Sequence, residues 1–110
     1  MSHESLFKPL KVGALTLSHR VVMAPLTRMR ATMPGNVPNA LNAEYYGQRT
    51  SRGGLIIAEA SQVLPSGQGA PCTPGTHTEA QAAGWKLVTD AIHARGGLVY
   101  LQLWLSLIHI

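Results

Sequence analysis

The stretch Leu55-Ile-Ile-Ala-Glu59 and the later stretch Leu98-Val-Tyr-Leu-Gln-Leu-Trp104 decide the fold class. Both are almost continuously apolar and are rich in residues that favour strands. Such runs are typical of strands that are buried on both faces of a parallel sheet. Parallel strands need a crossover connection, which is usually a helix. The two stretches therefore predict neighbouring parallel strands with a helix between them.

The segment between these two stretches has the pattern of that helix. Thr78 and Gln81 have the spacing of a capping box, in which each side chain bonds the backbone of the other. An apolar stripe at helical spacing follows, formed by Trp85, Val88 and Ile92. Arg95-Gly96 then combines a cation near a helix C-terminus with a residue that readily adopts a positive φ. The sequence predicts a helix from about Thr78 to Arg95.

The preceding residues repeat the same alternation. Val21–Ala24 is a short apolar strand candidate, and Pro25 ends its regular pairing because proline has no N–H to donate. Asn39 is a plausible N-cap of a first helix, which we expect Gly53-Gly54 to close. Residues 11–17 resemble a small hairpin. The order β-α-β-α-β indicates an α/β protein with a parallel sheet, and both doubly wound sheets and (β/α)₈ barrels begin in this way.

Composition narrows the functional classes. The chain has 110 residues, a net charge of +4 and 45% hydrophobic residues, as in one globular domain. Its nine basic residues are scattered, which argues against a nucleic-acid surface. Histidines and the single Cys72 have no metal-ligand spacing, so we expect no metal site. The start carries no secretory pattern, and the apolar run 98–110 is too short for a membrane span, so a cytoplasmic protein is expected.

Polar side chains occur where each predicted strand ends. Thr27 follows the first strand, Glu59 and Ser61 end the second, and Gln102 lies in the third. In parallel α/β folds the functional site lies at the carboxyl ends of the strands. Each position has a structural alternative. Gln102 could simply bond neighbouring backbone, and Glu59 is best explained as a buried carboxylate tied to backbone or to an arginine.

Six sequence motifs follow one another in a fixed order between residues 5 and 104. They are Leu6-Phe7-Lys8-Pro9-Leu10-Lys11-Val12-Gly13, Arg20-Val21-Val22-Met23-Ala24-Pro25-Leu26-Thr27-Arg28, Glu44-Tyr45-Tyr46-Gly47-Gln48-Arg49, Leu55-Ile56-Ile57-Ala58-Glu59-Ala60, Thr73-Pro74-Gly75 and Leu101-Gln102-Leu103-Trp104. Any one of these motifs is weak, but their ordered combination is highly specific. The combination strongly resembles the N-terminus of the Old Yellow Enzyme family of flavin-dependent alkene reductases, and within that family it is similar to the N-ethylmaleimide reductase branch of bacteria.

The resemblance implies the first part of a (β/α)₈ barrel that holds FMN at the carboxyl ends of its strands. It implies that Ala24-Pro25-Leu26-Thr27 lines the flavin ring, with the Thr27 hydroxyl bonded to a flavin carbonyl. It also implies that the backbone of Ala58 faces the ring and that Gln102 bonds the pyrimidine edge. An amide suits that edge because it both donates and accepts. NADH or NADPH would be the reductant and an activated alkene the substrate.

Two further positions concern the substrate pocket. Trp104 lies two residues after Gln102, so both side chains are expected on the same side of the strand, near flavin and substrate. Core packing is the alternative for Trp104. Many relatives have an aromatic residue where this chain has Ala70, in a loop that shapes their pocket. The resemblance places the catalytic residues further along the chain than Trp104, so none is assigned here.

Resemblance to the family stops at Trp104. Residues 105–110, Leu-Ser-Leu-Ile-His-Ile, are the translation of CTG TCT CTT ATA CAC ATC, the mosaic-end adaptor of transposase-based sequencing libraries. We therefore expect residues 1–104 to be the N-terminal part of a truncated barrel and 105–110 to be a non-native tail. The alternatives are a non-functional reading frame and a different phosphate- or flavin-binding barrel enzyme, such as a lyase or isomerase.

Overall fold

Five strands and two α-helices lie in the part of the chain that the structure describes, in the order β-β-β-α-β-α-β. A computed structural model of the protein describes residues 3–106. Two short 3-10 helices, Glu4–Phe7 and Pro65–Gly67, accompany the main elements. In chain order the main elements are β1 (Leu10–Val12), β2 (Leu15–Leu17), β3 (Val22–Met23), α1 (Ala40–Gln48), β4 (Leu55–Gln62), α2 (Glu79–Ala94) and β5 (Leu98–Trp104).

The main sheet has three strands in the order β3-β4-β5. Leu55, at the start of β4, is paired with Val22 on one side and with Leu98 on the other, and both pairings are parallel. The two crossovers run through α1 and α2. The predicted β-α-β-α-β order and the parallel sheet are therefore confirmed, and β5 has the bounds that the sequence indicated.

The hydrophobic core lies between this sheet and the two helices. Residues from α1, β4 and α2 form it, namely Tyr46, Ile56, Ala58, Trp85, Val88 and Ile92. The predicted capping box of α2 is confirmed, because the Thr78 hydroxyl accepts from the Gln81 N–H at 3.1 Å and the Gln81 side chain accepts from the Thr78 N–H at 3.1 Å. Local capping and the apolar stripe thus agree on where α2 begins and which face it buries.

The prediction for the end of α1 was wrong. The helix begins at the predicted N-cap, Asn39, but it ends at Gln48 and not at Gly53-Gly54. Its last carbonyls are satisfied locally, since the Thr50 hydroxyl donates to the Tyr46 carbonyl at 2.7 Å. Gly53 has φ +71° and instead forms the turn into β4, where a Cβ atom would overlap the Ser18 side chain.

The β1–β2 hairpin is also confirmed, with antiparallel pairing. It lies at the amino end of the main sheet, because the Ser18 N–H donates to the Gly53 carbonyl at 2.9 Å just before β4. Leu17 is its buried residue. The hairpin therefore covers the end of the sheet that is opposite the candidate site.

Candidate functional site

Three chain segments leave the carboxyl edge of the main sheet side by side. The segment from Ala24 to Arg28 follows β3, the second half of β4 passes through the middle, and β5 ends at Trp104. Ala24, Leu26 and Thr27 are exposed, and Pro25 is half-buried. The sheet thus brings the sequence-predicted residues of β3, β4 and β5 to one edge, as expected for a site at the carboxyl ends of parallel strands.

A β-bulge interrupts the pairing of β4 with β5 at this edge. Ala58 is paired with Leu101 and Ser61 with Leu103, so two residues of β4 oppose the single Gln102. Bulges are frequent at barrel rims and beside active sites, where they redirect the chain. The Ala58 side chain is buried in the core. Only the backbone of Ala58 is therefore left to face a ligand at this edge.

Gln102 points away from the helices. Val99 and Leu101 pack against the core, and side chains alternate along a strand, so Tyr100 and Gln102 face the opposite side of the sheet. Gln102 is exposed. Within residues 3–106 neither its carboxamide nor the Thr27 hydroxyl has a hydrogen-bond partner in the protein. One hydroxyl and one carboxamide at the carboxyl edge are thus available to a ligand.

Trp104 ends β5 against the loop that follows β4. Its side chain is half-buried, and its indole Nε1 is buried without a hydrogen-bond partner among the described residues. A Cβ atom on Gly69 would lie 2.8 Å from the tip of the indole ring, so the loop can approach this closely only with glycine at that position. Ala70 is the next residue of this loop and is half-buried. The structure thus brings Trp104 and the loop of Ala70 together.

Two buried polar residues hold that loop in place. Gln62, at the end of β4, donates to the Thr73 carbonyl at 3.1 Å and accepts from the Thr73 hydroxyl at 3.0 Å. The same hydroxyl is 3.0 Å from the carbonyl of Ala70. Because Gln62 and Thr73 are fully buried, water cannot replace these bonds. Sequence reasoning did not identify this anchor, and polar residues at 62 and 73 flanking a Gly/Pro-rich loop were its only signal.

Glu59 and Tyr46 form a second buried polar group beneath the edge. The Tyr46 hydroxyl donates to Glu59 Oε2 at 2.7 Å and accepts from the Glu59 backbone N–H at 2.9 Å. The other carboxylate oxygen, Oε1, accepts from the backbone N–H of Arg28 at 3.4 Å. Glu59 is thus the buried carboxylate tied to backbone that the sequence favoured. Its partner Tyr46 was missed, because the two residues are 13 positions apart on different elements.

Burial controls the protonation of this pair. It raises the pKa of the Glu59 carboxyl, while the hydrogen bonds from Tyr46 and Arg28 oppose that rise. Burial, followed by the charge of Glu59, raises the pKa of the Tyr46 hydroxyl. Tyr46 therefore keeps its proton and acts as a donor to the carboxyl group.

Arginines surround Tyr45 on the outer face of α1. The guanidinium carbons of Arg28 and Arg49 lie 5.0 and 3.9 Å from the centre of the Tyr45 ring. Tyr45 itself meets the ring of Tyr46 edge-on, with 5.0 Å between ring centres and planes at 79°. These contacts connect the segment after β3 with α1. Arg28, Arg30 and Arg49 are among the residues that line a surface cavity of about 260 Å³ beside Tyr45.

A parallel α/β unit with a polar site at the carboxyl ends of its strands defines the class of the protein, an enzyme-type barrel or doubly wound fold. In the described part of the chain, 3–106, no helix is long and apolar enough to cross a membrane. Comparison with known proteins then decides the family. Residues 5–109 match the NADH:flavin oxidoreductase / NADH oxidase family, and the chain belongs to it.

Individual relatives agree with this assignment. The chain is 51% identical over 104 residues to flavin oxidoreductase hxnT of Emericella nidulans, and the aligned region covers 92% of the chain and 27% of the relative. It is 54% identical over 99 residues to 12-oxophytodienoate reductase 1 of Oryza sativa subsp. japonica, covering 90% and 26%. The structure of morphinone reductase in complex with tetrahydroNAD superimposes with a TM-score of 0.84 at 54% identity, covering 91% and 27%.

These comparisons confirm the Old Yellow Enzyme resemblance and the fold. The three strands and two helices correspond to the first part of a (β/α)₈ barrel. The chain spans about a quarter of the length of the relatives that it matches. The family match also extends past Trp104, through residue 109, whereas the quoted motifs end at Trp104. Residues 107–110 of the expected non-native tail lie outside the described residues.

Proposed function

We propose that this chain forms the N-terminal wall of an FMN site in an NAD(P)H-dependent oxidoreductase that reduces activated alkenes. The observation that carries the proposal is the placement of Thr27 and Gln102. Both side chains lie at the carboxyl edge of the sheet without protein partners among residues 3–106. Membership of a flavin oxidoreductase family makes the flavin the ligand to which these groups correspond.

The chemistry of this edge fits a flavin ring. The pyrimidine part of the ring carries carbonyl oxygens and an N–H group, so it needs both donors and acceptors. Gln102 supplies one of each, Thr27 supplies a hydroxyl, and the bulge after Ala58 leaves backbone groups of β4 next to Gln102. The buried indole N–H of Trp104 is a further donor, and residues 3–106 offer it no acceptor. The residues present therefore suit a flat, polar-edged heterocycle.

Each residue then has a defined role in the proposed site. Ala24, Pro25 and Leu26 provide a small apolar wall for the ring, and the Thr27 hydroxyl donates to a ring carbonyl. Gln102 would bond the pyrimidine edge, and the backbone of Ala58 would face the ring. When bound, FMN would supply the hydride transfer from NADH or NADPH to the alkene. Donors near the ring stabilise the negative charge of its reduced form, so Thr27 raises the reduction potential.

The substrate side of the proposed site is formed by Trp104 and the loop of Ala70. A small residue at position 70 leaves room that a larger side chain would fill, so we propose a more open pocket than in relatives with an aromatic residue there. The partners are small molecules and not nucleic acid, because the basic residues are scattered. We also propose a cytoplasmic location, in keeping with the single cysteine.

A barrel chimera tests this proposal directly. Residues 5–104 replace the matching segment of morphinone reductase, which supplies the rest of the barrel. We expect the barrel chimera to purify with bound flavin and, under anaerobic conditions, to oxidise more than one equivalent of NADH per flavin only when an activated alkene is present to accept the hydride. Unaltered morphinone reductase is the positive control. A folded chimera that binds no FMN would refute the proposed function.

The tail needs its own test. We propose that residues 105–110 derive from a library adaptor and not from the organism. Leu105 and Ser106 lie beside Gly67, and the Ser106 N–H donates to the Gly67 carbonyl at 2.9 Å. Sequencing uncloned genomic DNA past the codon of Trp104 should give family-like sequence in place of the adaptor string. The same six codons in genomic DNA would contradict this proposal.

A further inference from the structure

Glu59 is a fully buried acidic residue to which the proposed flavin chemistry assigns no role. It lies inside the β4 bulge, one residue after Ala58 and opposite Gln102. A carboxylate in such a place is costly to bury unless hydrogen bonds compensate. Among the described residues, two groups donate hydrogen bonds to its side chain, the Tyr46 hydroxyl and the Arg28 backbone N–H. The second partner belongs to the segment that carries Thr27.

The backbone N–H groups of that segment make few hydrogen bonds to the protein, although the Arg30 carbonyl accepts from Asn39 Nδ2 at 2.8 Å. From Leu26 to Arg30, the N–H of Arg28 is the single backbone N–H with a hydrogen-bond partner among the described residues, and the partner is Glu59. Met29 follows with φ +57°, so the chain turns away directly after this bond. The 3.4 Å hydrogen bond from the Arg28 N–H to Glu59 Oε1 therefore ties the segment to β4 directly before this turn.

The side chain of Arg28 adds a second connection on the same side. Its guanidinium stacks over Tyr45, and the Tyr45 ring packs edge-on against Tyr46. Tyr46 in turn holds the Glu59 carboxylate by a 2.7 Å hydrogen bond. The backbone of Arg28 is thus bonded to Glu59 and its side chain packs on Tyr45, while the neighbouring Thr27 remains exposed.

We propose that Glu59, oriented by Tyr46, is a positioning residue that sets where the Thr27 hydroxyl meets the flavin. This inference rests on the proposed function. The carboxylate touches no flavin atom in the proposal and acts only through the backbone of Arg28. Holding the segment in advance lowers the ordering cost of binding and keeps the hydroxyl in line with its carbonyl acceptor.

Two matched substitutions separate positioning from packing. Glu59→Gln keeps the size and one acceptor oxygen, whereas Glu59→Met fills a similar volume without an acceptor for the Arg28 N–H. Glu59→Ala is prepared as well, so that the loss of the acceptor is tested in more than one packing context. Val88→Ala is the control for packing, because Val88 is fully buried in the hydrophobic core and its apolar side chain makes no hydrogen bond to Glu59 or Arg28.

The measurements are the FMN dissociation constant, the flavin midpoint potential and the unfolding midpoint of each barrel chimera. We expect Glu59→Met or Glu59→Ala to weaken FMN binding about tenfold, as expected for the loss of one hydrogen bond, and to lower the midpoint potential. Glu59→Gln should keep the FMN dissociation constant within about threefold of the parent value and the midpoint potential near that of the parent. Val88→Ala should lower only the unfolding midpoint.

Coupling to Thr27 gives the decisive outcome. Glu59→Met combined with Thr27→Val should shift the potential no further than Thr27→Val alone, because both act through one hydroxyl. Additive shifts of the potential would overturn the inference. A Glu59→Met chimera that has the parent potential and loses stability as Val88→Ala does would overturn it as well. Both results would leave the proposed function intact. A parent chimera without FMN would overturn both.

Discussion

Replacing Tyr46 by phenylalanine removes one hydroxyl that serves two buried groups. This hydroxyl donates to the Glu59 carboxylate at 2.7 Å and accepts from the Glu59 N–H at 2.9 Å. Tyr46 and Glu59 are both 0% exposed, so water cannot take over either bond. Leaving a buried polar group unpaired costs about 1–3 kcal/mol, and more where the group is charged. Two such groups give an expected loss of about 2–5 kcal/mol in the free energy of unfolding.

The neighbouring tyrosine provides a matched control. Tyr45→Phe removes a hydroxyl that has no hydrogen-bond partner among residues 3–106, while the ring stays available to Arg28 and Arg49. We expect this change to alter stability by no more than about 0.5 kcal/mol. Urea unfolding of the two barrel chimeras, followed by tryptophan fluorescence, measures the difference. Equal stability of the two variants would show that the Tyr46–Glu59 pair contributes nothing and would refute the argument from burial.

Four further outcomes are expected. Gln102→Ala should weaken FMN binding by about 1–3 kcal/mol, roughly 5- to 150-fold, in an equilibrium titration of the barrel chimera. With Trp85 replaced by phenylalanine, the fluorescence of Trp104 should be quenched when FMN is added. Folding raises the pKa of Glu59 above its usual value of 4.5, so its contribution to stability is fully present below pH 4.5 and is lost as the pH rises through the raised pKa. In urea unfolding, the stability advantage of the parent chimera over Glu59→Gln should therefore shrink with rising pH. The polypeptide 1–110 expressed by itself should aggregate and bind no stoichiometric FMN, because within residues 3–106 no further strand pairs with either edge strand of the sheet, β3 or β5. Size-exclusion chromatography and flavin absorbance would measure this.

Each of these expectations has a clear contrary result. Unchanged FMN affinity would remove Gln102 from the proposed site, and unchanged fluorescence would assign Trp104 to core packing. A pH-independent difference between the parent and Glu59→Gln would contradict the raised pKa. A yellow, monomeric polypeptide 1–110 that reduces N-ethylmaleimide would show that three strands suffice.

Local patterns in the sequence determined most of the secondary structure. The apolar run of β5 matches its strand residue for residue, and the Thr78–Gln81 box marks the start of α2. Both signals arise from residues that are neighbours in the chain, so no tertiary information is needed to read them. The parallel arrangement followed from the helical crossovers, and the family followed from motifs that keep a fixed order along the chain.

The tertiary structure alone decided how the site is supported. The end of α1 depends on the Thr50 hydroxyl and on the packing of Gly53 against Ser18, which local helix signals do not contain. The β4 bulge depends on a register shift against β5. The bonding of Glu59 to Tyr46 joins a strand to a helix across 13 positions. Such contacts are set by which elements pack together in space, and a single sequence records only the residues that they use, not their pairing.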